Sequence, residues 1–341
     1  MNGQLMAAEM AEQPDRLRGL LARYDDIAER VRAVAPTPAE LNGIAIVARG
    51  SSDHAAVYGR YLLEAATGKP VSLAAPSLYT LYGIDADYRG QLVIAVSQSG
   101  ATPEIVRTLE ALQDAGGSGL AITNERDSPL AHAAAEVIEL GVGEERAVPA
   151  TKTVTGQFTA FASIAAALGR APFTRRELDA IPDAVQGVLD DAGNMTTAAT
   201  ALVRSAQLII VARGYLYAAA LETALKIKET CSLLADGYSA ADLRHGPIAA
   251  VTAGLPVVAL CAAGPAEADV SSLIEELRAR GARVLVVGSG ARADVGVPAG
   301  TPEPLAPIVA VVRGQQLAHD LAVALGRDPD SPVGLTKVTP T

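Results

Sequence analysis

The heptapeptide Ile44-Ala45-Ile46-Val47-Ala48-Arg49-Gly50 returns 164 residues later, with two changes, as Leu208-Ile209-Ile210-Val211-Ala212-Arg213-Gly214. The same offset carries the apolar run Leu92–Val96 onto Pro256–Leu260, and Leu120–Thr123 onto Val284–Val287. Three apolar runs in one register indicate an internal duplication of a single structural unit.

Within each copy, short Val/Ile/Ala-rich runs alternate with longer helical patterns. In the first copy a strand over Ile44–Ala48 leads into a helix over His54–Thr67, and a strand over Leu92–Val96 leads into a helix over Thr102–Ala115. Alternation of this kind is typical of parallel sheets covered by helices. We therefore predict an α/β fold of two tandem doubly wound, flavodoxin-like parallel sheets, with ligands at the carboxyl ends of the strands.

The composition excludes several classes of protein. Half of the 341 residues are hydrophobic but only 4% are aromatic, which indicates an aliphatic core. The net charge is −10 and no basic cluster is visible, so a nucleic-acid partner is not expected. The apolar runs are too short to cross a bilayer, and no signal peptide is readable. We expect a cytoplasmic protein with two unpaired cysteines and no membrane partner.

Hydroxyl side chains cluster where two predicted strands of the first copy end. The cluster consists of five hydroxyl side chains and one amide, those of Ser51, Ser52, Ser97, Gln98, Ser99 and Thr102. Hydroxyls and free N–H groups at helix starts are suited to binding a phosphate. The alternative is ordinary helix capping, since Ser and Thr are favoured N-cap residues. The second copy has Tyr215 and Ala262-Ala263 at the matching places, so we predict one phosphate site, in the first copy.

The predicted helix around residue 225 carries three charged residues on one face. Glu222, Lys226 and Glu229 are spaced i, i+4 and i+7. Their spacing alone favours a solvated salt bridge, but the surrounding residues are apolar and shift the balance toward a functional array. His245 follows shortly, beside Gly246-Pro247, on a predicted turn from which it can reach a ligand. No metal-ligand spacing or dinucleotide-binding motif accompanies these residues, and we expect no metal and no cofactor.

These features together resemble the sugar isomerase (SIS) family, which includes the isomerase half of glucosamine-6-phosphate synthase and stand-alone glucosamine-6-phosphate deaminases. The resemblance extends over nearly the whole chain. It rests on RGSSDHA at 49–55, SQSG at 97–100, VPATK at 148–152, the helix at 221–229, DLRHGP at 242–247 and the tail residue Lys337.

The resemblance implies a role for each segment. The hydroxyl loops would hold a sugar phosphate, and Val148 and Ala150 would contact the sugar. Glu229 would move a proton between C1 and C2, and His245, acting from the partner subunit of a homodimer, would open the ring. Lys226 and Lys337 would contact the reacting end of the substrate, with Glu222 beside them. Ala150 replaces a frequent Ser of the family, which weakens that contact.

The resemblance also implies an organisation of the chain. We predict an N-terminal helical segment at 1–36, a phosphate-binding SIS subdomain at 37–190, a subdomain with the catalytic helix at 191–326 and an active-site tail at 327–341. The chain has no Cys before Cys231, so we expect no glutaminase activity.

The expected function is deamination of glucosamine 6-phosphate to fructose 6-phosphate and ammonia. The alternatives are aldose–ketose isomerisation of a phosphosugar, deglycation of a fructosamine phosphate, and a non-catalytic sugar-phosphate sensor.

Overall fold

The computed structural model describes residues 2–289 and 293–337. By internal contacts the chain divides into two compact units. The first-sheet unit comprises Asp15–Glu144 and Lys152–Arg175. The second-sheet unit comprises residues 2–14, Glu145–Thr151 and Arg176–Lys337. Of the predicted tail at 327–341, residues 338–341 lie outside the described residues.

Each unit is built on a five-stranded parallel sheet. The first half of the chain contains α1 (Gln4–Ala11), α2 (Gln13–Ala22), α3 (Tyr24–Val34), β1 (Gly43–Val47), α4 (Ser51–Thr67), β2 (Val71–Leu73), α5 (Ser77–Thr80), β3 (Gln91–Val96), α6 (Pro103–Asp114), β4 (Ser118–Thr123), α7 (Pro129–Ala133), β5 (Glu136–Glu139) and α8 (Lys152–Leu168). The second half contains α9 (Arg175–Asp179), α10 (Ile181–Asp190), α11 (Gly193–Leu202), β6 (Gln207–Ala212), α12 (Tyr217–Cys231), β7 (Leu234–Ser239), α13 (Ala240–Arg244), β8 (Pro256–Cys261), α14 (Glu267–Ala279), β9 (Arg283–Gly288), β10 (Val295–Gly296) and α15 (Ala306–Ala324), with 3-10 turns at Gly214–Leu216 and Pro247–Ala250.

The two sheets have the same strand order. The first runs β2-β1-β3-β4-β5 and the second β7-β6-β8-β9-β10, and every pairing is parallel. In this flavodoxin-like order, the second strand of each sheet is added on one side of the first strand and the third strand on the other side. This reversal in the order of strand addition opens a crevice at the carboxyl ends of the first and third strands. The predicted fold class and duplication are confirmed.

The central strands are buried on both faces, as a parallel sheet covered by helices requires. In the first-sheet unit Val47, Val93 and Ala95 pack against Ile105 and Leu109 of α6. In the second-sheet unit the strands β6 and β8 pack in the same way against the apolar side of α14. Because these faces are fixed, the loops after β1, β3, β6 and β8 are held at defined positions.

The helix α12 approaches its neighbours closely because small residues face it. A Cβ added to Gly314 of α15 would collide with Thr223, and one added to Gly237 of β7 would meet the backbone of Leu221 at 2.9 Å. A hydrogen bond from the Thr230 hydroxyl to the Ala318 carbonyl, at 3.2 Å, also joins α12 to α15. One consequence is that most of the α12 surface is removed from water.

Candidate functional site

The predicted phosphate loops lie where β1 and β3 end, at the reversal point of the first sheet. Ser51 and Ser52 open α4 directly after β1, and Ser97–Thr102 joins β3 to α6. These two strands are hydrogen-bonded neighbours. The structure therefore brings the six predicted phosphate residues to one edge of one sheet, within the first-sheet unit.

Ordinary helix capping does not account for these hydroxyls. The N-cap residue of α4 is Gly50, with φ of 60°, which has no side chain with which to cap the helix. Thr102 is the N-cap residue of α6, but its side chain makes no capping hydrogen bond. Its hydroxyl instead lies 3.4 Å from that of Ser97, and Ser99 Oγ accepts the N–H of Ala101. The hydroxyls are thus grouped within the loop, which favours the ligand interpretation over the capping one.

The loop after β3 has a fixed backbone. The Gln98 carbonyl accepts the N–H of Asn124, at 3.1 Å, and the Gly100 carbonyl accepts that of Leu130, at 2.9 Å. Gly100 has φ of 60°, and a Cβ at this position would collide with Ser128. Only glycine fits there, so the loop is built before any ligand arrives.

One residue that the sequence analysis missed orients the buried Ser52. Gln157 of α8 donates from Nε2 to Ser52 Oγ at 3.0 Å, and both side chains are buried. Because the amide donor occupies a lone pair of the oxygen, the hydroxyl proton of Ser52 is left to donate elsewhere. A polar residue within the apolar α8 sequence was the available signal.

The three charged residues of α12 form a buried array in the second-sheet unit. Lys226 Nζ lies 3.3 Å from Glu222 Oε1 and 2.5 Å from Glu229 Oε2. The side chains of Glu222 and Lys226 are 0% and 1% exposed, whereas that of Glu229 is 21% exposed. The solvated salt bridge that spacing alone allowed is therefore wrong for this helix.

The two glutamates decide the charge state of Lys226. Desolvation by itself lowers the pKa of Lys226, but Glu222 and Glu229 outweigh it and raise the pKa above the ordinary lysine value. The ammonium is thus held charged between two carboxylates. A carboxylate that is both partly exposed and held by a fixed cation can exchange a proton with a ligand, and Glu229 is the member of the array in that position.

His245 is exposed and ends the short helix α13. Gly246 follows with φ of 130°, a conformation that side-chain-bearing residues rarely adopt, and the chain then turns into Pro247–Ala250. The predicted turn at His245-Gly246-Pro247 is confirmed. The imidazole is accessible from solvent, as a ring-opening acid or base requires.

The segment Glu145–Thr151, which contains Val148 and Ala150, is held from several sides within the second-sheet unit. Glu9 of α1 accepts the N–H groups of Arg146 and Ala147. Gln315 of α15 donates to the Thr151 carbonyl at 3.1 Å. The side chains of Val148 and Ala150 remain partly exposed.

The tail residue Lys337 is bound to this same segment. Its Nζ donates to Glu145 Oε2 at 2.7 Å and to the Ala147 carbonyl at 2.8 Å. Glu145 is fully buried and also accepts the N–H of Thr151 at 2.9 Å. Nothing in the local sequence singled out Glu145, because its partner lies 192 residues away.

The predicted site residues are thus divided between the units. The hydroxyl loops belong to the first-sheet unit, and α12, His245, Val148, Ala150 and Lys337 belong to the second-sheet unit. Within the described residues no group of three or more His, Cys, Asp or Glu side chains is placed to hold a metal ion. No helix of the described chain is long and apolar enough to span a membrane.

Comparison with known proteins identifies relatives that share this two-sheet fold. The SIS domain model matches residues 39–167 and 201–293, one match for each sheet. A crystal structure of a Silicibacter pomeroyi protein, provisionally assigned as a phosphosugar isomerase, is 30% identical, with a TM-score of 0.86, over 97% of this chain and 100% of that one. Glucosamine-6-phosphate deaminase from Thermotoga maritima shares the fold, with a TM-score of 0.78 at 20% identity over 99% of this chain and all of that one.

Among curated relatives, glutamine–fructose-6-phosphate aminotransferase (isomerizing) from Methanothermobacter thermautotrophicus is 34% identical over 340 residues. The match covers 97% of this chain and 56% of the relative, so the chain spans little more than half the length of that protein. The family model covers well over half of this chain and one match falls on each sheet. The chain therefore belongs to the SIS domain family.

Proposed function

We propose that this chain deaminates an amino-sugar phosphate, converting glucosamine 6-phosphate and water to fructose 6-phosphate and ammonia. The observation that carries the proposal is the buried array on α12, in which Glu229 alone of the three charged side chains is partly exposed. Glu229 is held in position by the Lys226 ammonium and is the member of the array that a ligand can reach, so it can take up and return a proton next to an imine or carbonyl.

The hydroxyl loops supply the recognition of the phosphate. Ser52, Ser97, Ser99 and Thr102 offer O–H donors, and the starts of α4 and α6 offer N–H groups and the positive ends of helix dipoles. This arrangement explains how a protein of net charge −10 can bind a dianion without a basic patch. Binding energy from the phosphate is then available to position the sugar for reaction.

The reaction divides into three steps. His245 transfers the protons that open the pyranose ring and free the C1 aldehyde. Glu229 removes the proton from C2 and returns it to C1, while a second proton passes from the C2 amino group to the C1 oxygen, so that C1 becomes an alcohol carbon and C2 a ketimine. Water then adds to the ketimine carbon and ammonia leaves, giving the C2 ketone of fructose 6-phosphate. Lys226 stays charged throughout and offsets negative charge that develops on the C1 oxygen of the enolamine intermediate.

The names of the relatives support the sugar class. The curated relatives are fructose-6-phosphate aminotransferases that isomerise, and the chain matches little more than half of their length. Proton transfer between C1 and C2 followed by loss of nitrogen from C2 is deamination. The same proton transfer without loss of nitrogen would be aldose–ketose isomerisation, and the same loops could also hold a fructosamine phosphate.

One assay separates these possibilities. The protein is incubated with glucosamine 6-phosphate, galactosamine 6-phosphate, glucose 6-phosphate and a fructosamine 6-phosphate, and ammonia, ketose and free amine are measured. We expect ammonia and fructose 6-phosphate in equal amounts from glucosamine 6-phosphate. Ketose formation from glucose 6-phosphate without ammonia release from any amino sugar would replace deamination by isomerisation. Binding of all four sugars with no turnover would establish a sensor.

The phosphate requirement is tested by calorimetry with glucosamine and its 6-phosphate. Loss of several charge-assisted hydrogen bonds, each worth about 1.5–3 kcal/mol, predicts that glucosamine binds at least ~100-fold more weakly. Equal affinity for the two sugars would refute the assignment of the hydroxyl loops.

A further inference from the structure

The loops after β6 and β8 repeat the frame of the hydroxyl loops. Gly214 follows β6 with φ of 61°, where Gly50 follows β1 with φ of 60°. Gly264 follows β8 at the position that matches Gly100, although its φ of 159° is nearly extended whereas that of Gly100 is 60°. The strands β6 and β8 are hydrogen-bonded neighbours, as β1 and β3 are. The second sheet therefore has its own crevice at its reversal point.

An ion pair ties the two loops together in the same way in both sheets. Arg49 after β1 pairs with Glu104 in the first turn of α6, at 2.8 Å. Arg213 after β6 pairs with Asp269 in the first turn of α14, at 3.3 Å. Both pairs thus join an Arg that follows a strand to an acidic residue in the first turn of a helix, although Asp269 lies one position past the residue that matches Glu104 and also pairs with Arg244 at 2.6 Å.

The two crevices differ in what lies beside the first glycine. A Cβ built on Gly50 would meet no described atom within 4 Å. A Cβ built on Gly214 would meet Oε1 of Glu303 at 3.5 Å, and one built on Gly264 would collide with Oε2 of the same side chain. The carboxylate of Glu303 thus lies between the two loops of the second sheet.

Glu303 also binds the helix start that a ligand would use. The carboxylate accepts the backbone N–H of Ala266, the N-cap residue of α14. Ala266 is the residue that matches Thr102, the N-cap residue of α6, at the offset of 164. A helix start with a free N–H favours an anion, and here the anion is a side chain that is only 6% exposed.

We propose that the second-sheet unit retains the backbone frame of an oxyanion site, without the hydroxyls of the phosphate loops, and that Glu303 occupies it as an internal anion. Removal of the Glu303 carboxylate would open the site to a tetrahedral oxyanion such as inorganic phosphate. The proposal rests on the assigned role of the hydroxyl loops for its analogy, but its test is independent of them.

Burial raises the pKa of Glu303, the Ala266 N–H partly opposes this, and Glu267 raises the pKa further. The charged carboxylate is therefore less favourable in the crevice than in water.

The experiment counts inorganic phosphate bound per chain, by calorimetry, in the wild type and in E303A. We expect E303A to bind one more phosphate than the wild type. In E303Q the side chain still fills the crevice, so the count should equal that of the wild type. E267Q is the matched control, because it removes a neighbouring but exposed carboxylate, and it should also leave the count unchanged.

If E303A does not fold, E303S replaces it, because the serine hydroxyl can still accept the Ala266 N–H. We expect E303S likewise to bind one more phosphate than the wild type. A folded E303A or E303S with the wild-type count would overturn the proposal, as would an equal gain in E267Q. Because the measured quantity is the difference from the wild type, the two proposals fail separately. A wild type that binds no phosphate would contradict the hydroxyl-loop assignment, while the gain in E303A would still stand.

Discussion

Lys337 Nζ lies 2.7 Å from Glu145 Oε2, a carboxylate with no solvent exposure. The Lys337 side chain is 23% exposed, so it reaches from the surface to a buried partner. Resemblance to the family assigns Lys337 to the reacting end of the substrate, and the structure adds a second role in neutralising Glu145. These two roles predict different behaviour in variants.

K337A should lower the free energy of unfolding by about 3 kcal/mol, because it leaves Glu145 buried without its cation. The double variant K337A/E145Q should regain most of that stability, since a neutral amide needs no counter-charge. Denaturant unfolding of both variants measures the effect. A truncation after Asp330 removes Lys337 and carries the same cost.

The ammonia assay on the double variant separates structure from catalysis. If Lys337 contacts the substrate, K337A/E145Q should be stable and inactive. Full activity in a stable double variant would show that Lys337 serves the fold alone.

E229Q should reduce turnover by at least ~10² while leaving the affinity for glucosamine 6-phosphate nearly unchanged, because the amide keeps the shape but cannot take a proton. Deuterium from the solvent should enter C1 of the product in the wild type. K228Q is the matched control, since Lys228 is the adjacent charged residue of α12 and is exposed. Near wild-type turnover in E229Q would exclude Glu229 as the base.

Q157E should raise the KM for the sugar phosphate by ~10² or more, with a smaller change in kcat. The carboxylate would accept the Ser52 hydroxyl proton and place a negative charge next to the phosphate loops. Steady-state kinetics measure this, with Q186E as a control because Gln186 is exposed on α10. An unchanged KM in a folded Q157E would remove Ser52 from the phosphate site.

The surroundings of His319 predict that the stability of the protein falls as the pH rises. Burial alone lowers its pKa, but the Asp320 carboxylate at 2.9 Å, the Gly3 carbonyl at 3.0 Å and the Asp330 charge outweigh this and raise it. A histidine with a raised folded-state pKa contributes stability that is complete below the unfolded pKa of about 6.5 and is lost as the pH rises through the folded value.

H319Q should therefore have a lower Tm than the wild type at pH 5.5, and the difference should shrink at pH 9. Thermal melts of both proteins across this range provide the measurement. A difference that is constant with pH would show that the imidazolium charge makes no contribution.

Much of the architecture was accessible from the chain itself. The repeat at Ile44 and Leu208, and the apolar runs in register with it, predicted two sheets of the same design because burial on both faces imposes a recognisable strand pattern. The spacing of Glu222, Lys226 and Glu229 also predicted one helix face correctly, because helical periodicity is a local property. The turn at His245 followed in the same way from Gly246 and Pro247.

Tertiary structure alone decided which charges are buried and what each one contacts. Spacing on α12 could not distinguish a solvated salt bridge from a buried array, because the difference lies in how closely α15 and β7 approach. Neither the pairing of Glu145 with Lys337 nor the position of Glu303 beside Gly264 has a local signal. Contacts between residues so distant in sequence depend on how packed elements direct their loops, and no short-range pattern records that.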